Sequence, residues 1–107
     1  MPSKDVHQLE SKIQRKILNY LNTIPNLYVV RVMTANIRGV PDLLICYKGH
    51  FIALEVKSDI GTVTKIQQYN MSQIETAGGK AAVVRSVGDV IKFLLELENM
   101  ENGHTKI

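Results

Sequence analysis

Apolar side chains recur every three to four positions at the start of the chain. Val6, Leu9, Ile13, Ile17, Tyr20 and Leu21 share one side of a helix drawn at about 100° per residue. Asp5 followed by Gln8 reads as a capping pair, and Thr23-Ile24-Pro25-Asn26 stops the run, which predicts a helix over residues 5–22. The pattern then shortens. Residues 27–33 are rich in β-branched side chains and read as a strand, residues 34–39 as a loop, and residues 42–47 as a second strand. Lys48-Gly49-His50 turns the chain into a third strand over 51–57. A loop containing Gly61 precedes a helix over 64–77, which Gly78-Gly79 ends. Residues 81–85 make a fourth strand and residues 87–97 a last amphipathic helix, leaving 99–107 as a polar, disordered tail.

The order α-β-β-β-α-β-α predicts one α/β domain over residues 1–98. Short turns make the first three strands antiparallel. The helical crossover then sets the fourth parallel to a neighbour, with right-handed chirality. The expected result is a central four-stranded mixed sheet flanked by helices.

Composition narrows the class. The 107 residues, 45% hydrophobic and 21% charged, suit one soluble domain. No run nears the ~18 apolar residues of a membrane span, and the polar opening Met1-Pro2-Ser3-Lys4-Asp5 has no signal-peptide core. The one cysteine, Cys46, falls in the apolar run Leu43-Leu44-Ile45-Cys46; the expectation is a small core residue in a reducing cytoplasm. Charge is uneven: residues 1–40 sum to +4, 41–60 to −1 and 61–107 to zero. A basic first third beside an acidic centre suits a polyanion binder with a metal site, and equally a solvated helix face.

The informative residues are charges placed where a core is expected. Glu10 falls inside the apolar sector of the first helix, opposite Lys12, Arg15 and Asn19. A carboxylate there is costly unless hydrogen-bonded, paired or metal-bound, or it snorkels to water at the edge of the face. In the third strand, alternation puts Ile52, Leu54 and Val56 on one face and Phe51, Ala53, Glu55 and Lys57 on the other. Glu55 and Lys57 thus project side by side, as a surface ion pair or as part of a site. Asp42 follows Gly39-Val40-Pro41 and opens the second strand, so the hairpin can set it beside that pair. Asp is common in turns, yet two carboxylates and a lysine at one sheet end also suit a hard cation. Gln67 completes Thr64-x-x-Gln67, a capping box, or reaches towards the Lys57 end of the sheet. His7, His50 and His104 are isolated, have no zinc spacing and read as surface or turn residues.

Together, Gly39-Val40-Pro41-Asp42-Leu43-Leu44, Ala53-Leu54-Glu55-Val56-Lys57 and Thr64-x-x-Gln67 resemble the PD-(D/E)XK nucleases. More narrowly they resemble the VRR-NUC branch, with its short stand-alone phage members. Glu10 on an initial helix and Gly78-Gly79 before the last strand fit too, so the resemblance runs from about Glu10 to Leu95. The segment between the first strand and Gly39 is short for the branch.

The resemblance implies a restriction-endonuclease-like core and a divalent-metal-dependent endodeoxyribonuclease, cutting branched DNA such as Holliday junctions as a homodimer. The setting would be the cytoplasm of a bacterial or phage-infected cell. It gives catalytic roles to Glu10, Asp42, Glu55, Lys57 and Gln67. Asp42, Glu55, the Val56 carbonyl and Glu10 would hold one or two Mg2+ or Mn2+ ions. Lys57 would serve the attacking water and the phosphate, and Gln67 would position Lys57 or the water. The alternatives are a flap- or single-strand-directed nuclease of the same fold, a non-catalytic nucleic-acid-binding module, or a plain interaction domain, which leaves Glu10 unexplained. Tyr20, Tyr28, Tyr47, Tyr69, Phe51 and Phe93 read mostly as core residues, so DNA contact is expected through phosphates, with Arg38, Lys48 and Lys65 as candidates.

Overall fold

A computed structural model describes residues 2–105, with side chains described from 6 to 100. The elements are α1 (Pro2–Leu21), β1 (Leu27–Arg31), β2 (Leu43–Tyr47), β3 (His50–Val56), α2 (Lys65–Thr76), β4 (Lys80–Val84) and α3 (Val87–Thr105). The strands form one mixed sheet in the order β1-β2-β3-β4. The first three are antiparallel and β4 lies parallel to β3, as the connections require. No helix among the described residues is long and apolar enough to cross a membrane.

The β2–β3 hairpin fixes the register on which the site depends. Tyr47 pairs with His50 across a two-residue loop, and Lys48 and Gly49 both take positive φ, 51° and 82°. That is the turn whose twist matches the strands. From it the register runs back to Leu43 opposite Leu54, which sets Asp42 level with Glu55.

One face of the sheet carries the core. Leu43, Ile45, Ile52, Leu54, Val56 and Val84 pack with Ile17 and Leu21 of α1 and Val90, Leu94 and Leu97 of α3. By strand alternation Ala53 and Glu55 face the other way, towards α2, whose Gln67 reaches Glu55. Gly39 (φ 79°) lies so near α2 that an added Cβ would sit 2.9 Å from Ile66 Cγ1, so the close approach at this glycine is made by α2. Buried Asn70 ties the two together, donating to the carbonyls of Arg38 and Ile66 at 2.9 Å each.

Several expectations need correction. Helix α1 begins at Pro2, so Asp5 lies inside it and is not its N-cap. Leu9 is 45% exposed although it shares the helical stripe. Cys46 is exposed, because alternation turns it away from the core that Leu43 and Ile45 enter. Tyr28, Tyr69 and Phe51 are also exposed, so half of the aromatic rings lie outside the core. Helix α3 continues through residues 99–105, beyond the buried Leu97. Residues 106 and 107 lie outside the described residues.

Candidate active site

Three strand-end residues and one helix turn build a polar pocket at one end of the sheet. Asp42 Oδ2 accepts the Val56 N–H at 2.8 Å, locking the start of β2 to the end of β3. Glu55, 2% exposed, and Lys57, 8% exposed, follow each other on the same side of that strand. Lys57 N–H donates to the Val84 carbonyl at 3.0 Å, so β4 holds the backbone past the strand end. Glu55 Oε2 accepts from Gln67 Nε2 at 3.0 Å and lies 3.7 Å from Lys57 Nζ.

The two readings of Gln67 turn out to be compatible. Its Oε1 accepts the Thr64 N–H at 2.9 Å and its backbone N–H donates to Thr64 Oγ1 at 3.2 Å, a complete capping box. The amide nitrogen is left free to hold Glu55. The cap fixes the amide and the amide orients the carboxylate.

Glu10 reaches the pocket from α1. Its Oε2 accepts the Ser58 N–H at 3.3 Å, and it packs so closely on Gly61 that an added Cβ would collide with it. The 58–61 turn that receives it is held from behind by Arg85, which donates through Nη1 to the carbonyls of Ser58 and Gly61. A cavity of about 260 Å³ results, lined by Glu10, Asp42, Glu55, Val56, Lys57 and Gln67, with His7, Ser11 and Gln14 on the α1 side.

Burial dominates the electrostatics. It pushes the Glu55 carboxyl up to about 8, the negative charge of Asp42 adding to the shift and Lys57 opposing it. Burial also raises Asp42, against the lowering effect of the Val56 N–H. The two carboxyls are close enough to hydrogen-bond once one is protonated. Among the described residues no three acidic, histidine or cysteine side chains stand close enough to hold an ion as they are. The donor set nevertheless fits a divalent cation. Glu55 Oε1 is buried with no hydrogen-bond partner among the described residues, and carboxylate and carbonyl oxygens suit magnesium or manganese. An ion would offset the burial cost, and the repulsion from Asp42, that keep Glu55 protonated.

The structure thus brings Glu10, Asp42, Glu55, Val56, Lys57 and Gln67 together, and leaves Arg38, Lys48 and Lys65 outside the cavity lining. Lys48 sits at the hairpin turn, at the other end of β2 from Asp42, paired with Glu98 at 2.7 Å. His7, Ser11 and Gln14 were missed, although His7 and Gln14 stand at helical spacing from Glu10. Arg85 was missed too, because its partners are backbone carbonyls that no motif announces.

An α-β-β-β-α-β-α domain with an acid- and lysine-lined cavity at the end of a mixed sheet is the class defined here. No protein-family model matches the chain, and no curated protein does. Solved structures do, two of them as follows. One described as "VRR_NUC domain" superposes with a TM-score of 0.68 at 22% identity, over 80% of this chain and 94% of its own. Another, "VRR_NUC domain protein", gives a TM-score of 0.67 at 21% identity, over 80% of this chain and 84% of its own. The chain has the VRR-NUC fold.

Proposed function

We propose that this chain is a divalent-metal-dependent endodeoxyribonuclease that hydrolyses phosphodiester bonds in branched DNA, Holliday junctions among them. The observation that carries the reading is the single cavity shared by Glu10, Asp42, Glu55, Lys57 and Gln67. Asp42, Glu55 and the Val56 carbonyl would hold magnesium or manganese, with Glu10 acting directly or through water. When bound, the ion supplies Lewis-acid polarisation of the phosphate and a lowered water pKa. Lys57 orients the attacking water and offsets phosphate charge, a role that its place beside Glu55 supports. Gln67 keeps Glu55 in its rotamer.

Branched DNA as substrate rests on the resemblance to short stand-alone VRR-NUC nucleases, as do the homodimer and a bacterial or phage-infected cytoplasm. The test is a panel of single-stranded, duplex, flap and four-way-junction DNAs incubated with purified protein and Mg2+ or Mn2+. Four-way junctions should be cut best, with cleavage abolished by chelator and by Asp42→Asn or Glu55→Gln. Preference for flaps or single strands would move the substrate assignment. Undiminished cleavage in excess chelator would refute the metal mechanism, and binding without cleavage would leave only a nucleic-acid-binding module.

A further inference from the structure

We propose that the groove lined by Ser11, Gln14, Arg15, Leu18 and Arg31 seats a backbone phosphate of the DNA strand whose neighbouring phosphate enters the acidic cavity. The inference rests on the nuclease reading and gives it a second point of contact. The groove, about 250 Å³, and the cavity share Ser11 and Gln14, so they adjoin along α1. Arg31 ends β1 opposite Leu43, and the next residue, Val32, donates its N–H to the Asp42 carbonyl at 2.9 Å. It therefore stands on the strand beside the one that Asp42 opens. Alternation turns it to the side of Val29 and the core, where α1 lies. Arg15 comes from α1, one turn beyond Ser11.

Two arginines thus line one groove whose lining contains no acidic residue. Among the described residues neither has a hydrogen-bond or ion-pair partner. Two other cations are committed: Arg85 holds two carbonyls and Lys48 holds Glu98. Like charges left together without a counter-ion oppose folding. A phosphodiester with two free oxygens matches the planar donor forks of arginine, and Ser11 and Gln14 add neutral donors alongside. Such a contact fixes the register of the strand without reading sequence. Its chemistry is that of binding, so it governs how well DNA is held and leaves the bond-breaking step alone.

The experiment compares Arg15→Gln/Arg31→Gln with Lys80→Gln/Lys92→Gln, which removes equal charge from β4 and α3. DNA binding is followed by fluorescence anisotropy without divalent ion across a salt series, and thermal melting confirms each fold. The arginine variant should bind about tenfold more weakly at ~0.1 M salt, its log K against log salt slope shallower by about 0.7–0.9. The lysine control should keep the wild-type slope. Under cleavage conditions KM should rise while kcat stays within twofold. Arg15→Lys/Arg31→Lys, which keeps the charge, should retain the slope. A second measurement needs no variant: a neutral methylphosphonate next to the cleaved phosphate should weaken wild-type binding by a similar factor. Wild-type slopes in the arginine variant, or an equal loss in the control, overturn the groove while the nuclease reading stands. A wild-type protein that binds none of the DNAs and cuts none with Mg2+ or Mn2+ overturns both.

Discussion

Glu55 combines near-complete burial, a carboxyl raised to about 8 and an oxygen without a partner, which makes its protonation a handle on the whole site. The folded protein retains a proton that the unfolded chain releases near the ordinary value of 4.5. Stability of the metal-free protein should therefore fall as pH rises from about 4.5 to about 8, then level off, by on the order of a few kcal/mol. Glu55→Gln should flatten that profile, and added Mg2+ or Mn2+ should restore stability at the alkaline end by binding the ionised form. Melting curves across pH check this, and a profile rising with pH would contradict it. The other charged residues separate by role. Lys57→Ala should lose cleavage yet keep metal affinity by calorimetry, because on the proposed reading its ammonium would serve water and phosphate. Glu10→Leu should keep or raise the melting temperature while impairing cleavage. A destabilised but fully active variant would make Glu10 structural. Glu55 and Lys57 were legible in the sequence because a strand repeats every two residues, so side chains on its far face identify themselves. The same period places Cys46 opposite Leu43 and Ile45, but an unbroken apolar run hides it until the register is known.

The element that holds the site together is the 58–61 turn, braced by Arg85 behind and occupied by Glu10 in front. Gly61→Ala forces the end of the Glu10 side chain aside, and that side chain is flexible enough to yield. The fold should survive, with a melting temperature within a few degrees of wild type, while cleavage falls about 100-fold through misplacement of one carboxylate. Wild-type turnover would mean that Glu10 need not sit there. Helix α2 offers a second element-scale test, since its cap and the amide that holds Glu55 share one residue. Thr64→Ala should cost about 0.5–2 kcal/mol of stability. Gln67→Leu should lose the cap contact and release Glu55 together, so its turnover should fall further than that of Thr64→Ala. Equal turnover in the two variants would reduce Gln67 to a cap. The strands and helices themselves were legible from periodicity. The closing contacts were not, because Arg85 binds main-chain oxygens and His7, Ser11 and Gln14 only become neighbours of Asp42 once α1 docks across the sheet end.

At the scale of the molecule, one chain carries one acidic cavity of this kind among its described residues, whereas resolving a four-way junction needs two symmetric incisions. A two-fold homodimer supplies both. Mixing wild-type with Lys57→Ala subunits should yield nicked, unresolved junctions. Sedimentation as a monomer on DNA, with no rise in nicked product, would rule the dimer out. The parallel placement of β4 has a consequence of a different kind. Every side chain lining the cavity is encoded by residue 67, while β4 and the bracing Arg85 follow from residue 80 onward. During synthesis from the N-terminus, every residue that lines the cavity is made before the strand that completes its scaffold exists. Until then β3 is a sheet edge, Lys57 has no Val84 carbonyl to hold its backbone, and the 58–61 turn is unbraced. On the nuclease reading, a chain made only as far as residue 67 should therefore hold every cavity residue and still be unable to cut.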